Sequence, residues 1–305
     1  MGQDQDDIAS LMRWRAAETS FAESNQRLRD DPRFGIAARA LAANMLDAAA
    51  QDEELDGIFK DAGRYVAAMW AITAHLTDGL TLPRLKDVCA ASGWLGPGRA
   101  RALLIYLRYL GYFETVSAGA RNAPARYAPT AKFKAAWRRH LALALEAAHL
   151  IEPAVSHVLA RLDENDVFET LTRLQGEELL ASTQAFDKKS DYVTIFMNRY
   201  AGLQIVMLLL TGSTGAFPPS DPIPFSISAA AKRFKVSRVH ITRMLADGEQ
   251  AGLIRRNDDA TITLQEAGRA AIAGNYALQL IRLLSQAART LEVGQAVQAP
   301  ALDHA

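Results

Sequence analysis

The chain lacks most of the patterns that chemistry or membranes require. Its 305 residues include one cysteine, Cys89, so neither an intrachain disulfide framework nor a cysteine-built zinc site can form. A lone cysteine in an alanine-rich stretch reads as a small core residue. The apolar run within AGLQIVMLLLTG (201–212) falls well short of the roughly 20 residues that cross a bilayer. No glycine-rich phosphate loop follows a strand, and neither His-Glu-x-x-His nor Cys-x-x-Cys occurs. The serines have no nucleophile-elbow context. His149 and His157, with Glu146 and Glu152, could gather a metal only on an unbroken helix, and Pro153 stands between the histidines. No catalytic residue, metal ligand or cofactor is assigned, and an enzyme is not expected. The acidic start MGQDQDDIAS resembles neither a secretory signal nor a transit peptide, so the expected location is cytoplasmic.

Net charge is also missing: 34 basic residues balance 34 acidic ones. The balance hides a strong segregation. Residues 1–62 carry 13 acids and 7 bases, and residues 84–139 carry 11 bases and 2 acids. Residues 141–191 carry 10 acids and 4 bases, and residues 228–256 carry 7 bases and 2 acids. Two basic blocks alternate with acidic ones, and such local footprints matter more for nucleic acid than the sum. Half the residues are apolar, alanine is abundant and β-branched runs are few, which favours helix.

The two basic blocks repeat each other. RYVAAMWAITAHLTDG (64–79) resembles RYAGLQIVMLLLTGST (199–214). Two short amphipathic segments follow, LPRLKDVCAASGW (82–94) and SISAAAKRFKV (226–236). Next, GPGRARALLIYLRYLGYFE (96–114) superposes without a gap on SRVHITRMLADGEQAGLIR (237–255), with Gly111 on Gly252. Finally ARYAPTAKFKAAW (125–137) matches ATITLQEAGRAAI (260–272). The second copy holds about six extra residues between its first two helices. Pro218, Pro219, Pro222 and Pro224 mark that insertion as an ordered loop. Each copy reads helix, helix, turn, helix, strand, turn, strand, helix.

These residues carry a family resemblance. VSRVHITRML resembles the start of the recognition helix in bacterial transcription regulators, and RYAPTAKF and TITLQEAG resemble the wing exit of MarR-type regulators. The resemblance covers roughly residues 64–140 and 199–275. It implies a mainly α fold with two tandem winged helix-turn-helix units, each with a small β-wing, on a shared helical body. The corresponding divisions are an acidic helical segment (1–60), a first unit (61–140), a connector (141–195), a second unit (196–275) and a C-terminal helix and tail (276–305). Because helices outside the unit form the dimer interface in MarR-like proteins, either a homodimer or an internal pseudo-dimer is open. The first ten residues are expected to lack order, 132–185 to form one or two long helices broken at Pro153, and 277–291 to form a final helix.

The resemblance implies sequence-specific binding to duplex DNA by a transcriptional regulator, read mainly by the helix that Ser237 would cap. At 100° per residue Ile241, Met244, Leu245 and Gly248 share an inward stripe. The outward side holds Val239, Thr242, Arg243 and Ala246, with Arg238 and the surface histidine His240 on its flanks. Arg238, Thr242 and Arg243 are the expected base readers and Val239 an apolar contact, since arginine suits guanine and a methyl suits thymine. Lys232, Lys235, Arg255 and Arg256 are expected on phosphates. Asp258 and Asp259 at the wing tip argue that this wing stays out of a groove. In the first copy Arg99, Arg101, Arg121 and Arg126 form a second candidate footprint, but Ile105 and Tyr109 face outward too, an arrangement that also suits a protein partner. A non-enzymatic interaction scaffold and a replication-initiator-like DNA-binding protein remain as alternatives. Trp70, Trp94, Trp137 and Tyr65 read as core aromatics rather than as an effector site, so a small-molecule effector finds no support, and no membrane contact is expected.

Overall fold

The computed structural model describes residues 2–15, 20–119, 121, 123–182 and 187–298. Helices α1 (Gly2–Met12), α2 (Phe21–Asp30), α3 (Phe34–Gln51) and α4 (Glu53–Phe59) come first. A block of α5 (Ala62–Thr77), β1 (Leu80–Thr81), α6 (Leu82–Ser92), α7 (Pro97–Tyr109), β2 (Phe113–Ser117), β3 (Arg126–Pro129) and α8 (Ala131–His149) follows. After a 3₁₀ turn at Pro153–Val155 come α9 (Ser156–Leu159) and α10 (Asn165–Ser182). A π turn at Val193–Met197 leads into the second block. That block comprises α11 (Gly202–Thr211), β4 (Ile223–Pro224), α12 (Ile227–Arg233), α13 (Arg238–Gln250), β5 (Ile254–Arg256), β6 (Thr261–Leu264) and α14 (Glu266–Gln298).

The fold is mainly helical, with two small antiparallel sheets ordered β1-β3-β2 and β4-β6-β5. In each the third strand lies in the middle, and the blocks repeat each other element for element. The match extends to backbone detail. Helices α7 and α13 are each 13 residues long. Both end on a left-handed glycine, Gly111 at φ 71° and Gly252 at φ 69°. The residue beyond each donates back across the last turn, Tyr112 to Leu107 and Leu253 to Gly248, both at 2.9 Å. Such a stop demands φ > 0, and glycine adopts it without a steric cost. The sheets differ in their turns: eight residues separate β2 from β3 and four separate β5 from β6.

Among the described residues, side-chain caps start six of the helices. Asp52, Asp61, Thr81, Thr130, Ser226 and Ser237 each accept a backbone N–H from the first turn of α4, α5, α6, α8, α12 and α13. The proline-rich loop is anchored: Arg39 of α3 donates to the carbonyls of Leu210, Gly215 and Ala216. Phe217 packs edge-on against Phe34 and Tyr276.

Three expectations change. Residues 2–12 are helical, and Leu11 and Trp14 are buried, because an apolar side chain can pay for order even in an acidic segment. The last helix is no separate element at 277–291. It continues the helix that leaves β6, so the division at 275 falls inside α14 and that at 140 inside α8. Residues 183–186 and 299–305 lie outside the described residues.

A polar junction ties the turn before α5 to the second block. Lys60, whose side chain is 3% exposed, pairs with Asp56 at 2.6 Å and donates to the Phe234 carbonyl at 2.9 Å. Its own carbonyl accepts from Ala201 at 2.7 Å, and Asp56 accepts from Gln204 at 2.5 Å. The Tyr200 ring lies under both Lys60 and Arg64. A second feature is an aromatic nest in which Phe59, Tyr65, Phe133 and Trp137 surround His140 or one another at 4.7–5.6 Å. Burial there lowers the His140 imidazolium pKa to about 4.

Two predictions follow from these environments. Lys60→Ala leaves Asp56 without its ammonium, and urea denaturation should show a loss of about 3 kcal/mol; an unchanged midpoint would remove the junction from the stability argument. His140 titrates near 6.5 when unfolded and near 4 when folded. The unfolded chain therefore holds more protons in that window, and stability falls as pH drops through it, by up to about 3 kcal/mol. Asp31 and Glu249, held below the usual carboxylate range by Arg33 and Arg256, lose their contributions only at lower pH. Urea midpoints at pH 7 and pH 5 should differ in the native chain and differ less in His140→Gln, where His75, whose pKa burial also lowers, still contributes.

Candidate nucleic-acid interface

The second block presents α13. The Ser237 hydroxyl accepts the His240 N–H at 3.1 Å and caps it. Ile241, Met244, Leu245 and Gly248 are buried as their spacing requires. Gly248 allows a close approach, since a Cβ there would stand 2.9 Å from the Phe196 ring. Arg199 pairs with Asp247 at 2.5 Å. His240 departs from the surface expectation: it is half-buried, and its Nε2 bonds the Tyr200 carbonyl at 2.8 Å. The histidine thus fastens the first turn of α13 to the segment that enters α11.

The other side of α13 is open. Arg238, Val239, Thr242 and Arg243 are all exposed, Val239 by 57%. The Thr242 hydroxyl donates to the Arg238 carbonyl at 2.9 Å, which leaves its methyl for an outside contact. Among the described residues neither the Arg238 nor the Arg243 guanidinium has a hydrogen-bond or carboxylate partner. Elsewhere on the surface Arg15, Arg33, Arg84, Arg139, Arg161 and Arg173 sit on carboxylates, whereas, among the described residues, Arg101, Arg121 and Arg126 do not.

The flanking cations divide. Lys232 and Lys235 are exposed; Lys235 has a left-handed backbone, φ 54°, and an interaction of its own. Arg255 bonds the Asn257 side chain at 3.1 Å. Arg256 differs from the expected phosphate contact, because Glu249 holds it through two bonds of 2.9 and 2.6 Å and also accepts its backbone N–H. Glu249 and Arg256 face each other across the Gly252 turn, a proximity that sequence spacing does not reveal. The acidic tip is structural in part, as Asp259 accepts from the Thr261 hydroxyl at 2.6 Å and its N–H at 3.2 Å.

In the first block Ala100, Leu103, Leu104 and Leu107 are buried on α7. Arg101, Arg121 and Arg126 are exposed without a carboxylate partner among the described residues. Arg99 lies 3.6 Å from Asp61, the carboxylate that caps α5 and also meets Arg64 at 3.4 Å. It is therefore tied to the scaffold rather than free for a phosphate. Ile105 is 54% exposed and Tyr109 86%. Exposed Arg233 and Arg108 extend the basic surface; both lay in basic blocks but at helix positions that spacing did not single out.

No group of three or more metal-ligating side chains comes together among the described residues, and His149 instead bonds the Pro153 carbonyl. None of the described helices is long and apolar enough to cross a membrane. No protein-family model, curated protein or solved structure matches the chain.

The geometry separates stability from recognition. Ser237→Ala should cost about 1 kcal/mol through loss of the cap. Arg238→Ala and Arg243→Ala should stay within about 0.5 kcal/mol of the native chain, since nothing in the fold holds either guanidinium. Thermal or urea unfolding of the three variants checks the contrast.

Proposed function

We propose that this chain is a non-enzymatic DNA-binding protein with tandem winged helix-turn-helix units, acting as a transcriptional regulator of MarR-like type. In this reading the outer side of α13 enters the major groove, with Arg238 and Arg243 on base edges and Val239 and the Thr242 methyl against thymine. Lys232, Lys235 and Arg255 meet phosphates, with Arg101, Arg121 and Arg126 as a second footprint. The observation that carries the reading is the pair of unpartnered guanidiniums on one exposed helix face, on a protein that neutralises many of its other surface arginines. Repetition of the same element order in both blocks supports it.

The test is selection from a random duplex pool across a salt series, with bound sequences read out. The native protein should enrich a motif, and Arg243→Ala should relax it at one base pair by about 1–3 kcal/mol of discrimination. Lys232→Ala should weaken all sequences alike and lower the salt slope by about 1. Absence of binding at about 50 mM salt, where phosphate contacts are strong, would end the DNA reading.

One observation favours a second reading, a protein-interaction scaffold: the exposed Ile105 and Tyr109 on α7. That reading wins if Tyr109→Ala abolishes a protein complex that Arg243→Ala leaves intact.

A further inference from the structure

We propose, resting on the DNA-binding reading above, that α7 is a wedge rather than a second base reader. Tyr109 and Ile105 enter an opened base step while Arg101 and Arg108 hold adjacent phosphates, so that the bound duplex is bent. The gapless match of α7 to α13 identifies what α7 lacks. Arg238, Val239, Thr242 and Arg243 of α13 correspond to Pro97, Gly98, Arg101 and Ala102. That leaves one guanidinium where α13 has two, and no β-branched side chain. In turn Ala246 and Gln250 of α13 correspond to Ile105 and Tyr109.

The outer side of α7 is ordered in two rows. At 100° per residue Arg101 and Arg108 share one line along the helix, and Gly98, Ala102, Ile105 and Tyr109 share the next. All six are exposed, Tyr109 by 86%. The apolar row begins on small residues, which let the helix come close to a surface, and ends on the two large ones. The fold does not need that large pair, because α13 forms the same helix and the same glycine stop with an alanine and a glutamine in their places.

The charge beside the pair fits a polyanion. Helix α7 carries no acidic residue, and residues 84–139 hold only Asp87 and Glu114. Among the described residues neither Arg101 nor Arg108 meets a carboxylate. The Arg108 guanidinium lies 5.4 Å from the centre of the Tyr127 ring, a contact that orients the cation without neutralising it. Apolar side chains flanked by cations unstack a base step by filling the gap while the cations follow the bent backbone. A tyrosine ring stacks on any base, so such a site needs no sequence code. It favours the steps that open most easily, TA and CA.

The test uses the full chain and a set of duplexes that carry 2-aminopurine beside each TA or CA step in turn and a dye on each end. Anisotropy at about 50 mM salt reports binding, 2-aminopurine fluorescence reports unstacking, and energy transfer between the ends reports bending. The native chain should bind, change the fluorescence at one step and bend the duplex by about 20–90°. Tyr109→Phe should keep both signals. Tyr109→Ala should lose both while still binding, about tenfold more weakly, or 1.4 kcal/mol. Its urea midpoint should be unchanged, since the replaced side chain is exposed. Arg243→Ala, which alters the preferred sequence, should keep both signals. Binding by the native chain with no unstacking at any step and no bend would overturn the wedge and leave the DNA reading standing, whereas no binding at all would end both. Signals that persist in Tyr109→Ala would also overturn the wedge and leave the pair to a protein partner.

Discussion

One buried ammonium ties the turn that precedes the first repeated block to the second block. Lys60 lies in the turn between α4 and α5, yet its charge is matched by Asp56 and by the carbonyl of Phe234 at the end of α12. A charge taken out of water must keep its partners, so this arrangement tolerates little sliding. Apolar packing alone would be more permissive, because methyl groups have no required direction. The same turn receives the Ala201 N–H and borders Tyr200, and the Tyr200 carbonyl holds His240 on α13. A chain of directional bonds thus runs from the first block to the first turn of the exposed helix.

Surface charge follows a second rule. Many arginines on the helical body lie within reach of a carboxylate, as the acidic segments make easy. Those on the open side of α13 do not. The difference separates cations that complete the fold from cations available to something outside it, and it revises the site. Arg256 and Arg99 belong with the first group because Glu249 and Asp61 reach them, whereas Arg238 and Arg243 belong with the second.

Polar groups in the core are less completely satisfied than the backbone. Helix starts and the glycine stops leave few loose ends, but the space between the blocks collects an imidazole and three amides, of His140, Gln175, Asn275 and Gln286, with atoms unpaired. The aromatic nest beside it is well packed, so the unpaired atoms are not the result of a loose interior. They are concentrated where two otherwise complete units come together.

Much of the local architecture was legible in the chain. Capping residues, the inward stripe of α13 and the equivalence of Gly111 and Gly252 all follow from interactions within a few residues, which sequence records directly. The repeat was visible for the same reason, since duplicated local patterns duplicate local structure. What sequence did not determine was which distant groups meet. His240 looked like a surface residue until Tyr200 stood beside it, and Arg256 looked available until the turn at Gly252 brought Glu249 across. Gln175 and Asn275 showed no pattern at all, because their shared space forms only where α10 and α14 pack. Helix identity and facing are set by short-range geometry, while pairing, burial of charge and the cavity arise from contacts between residues far apart in the chain, and only the tertiary structure decided them.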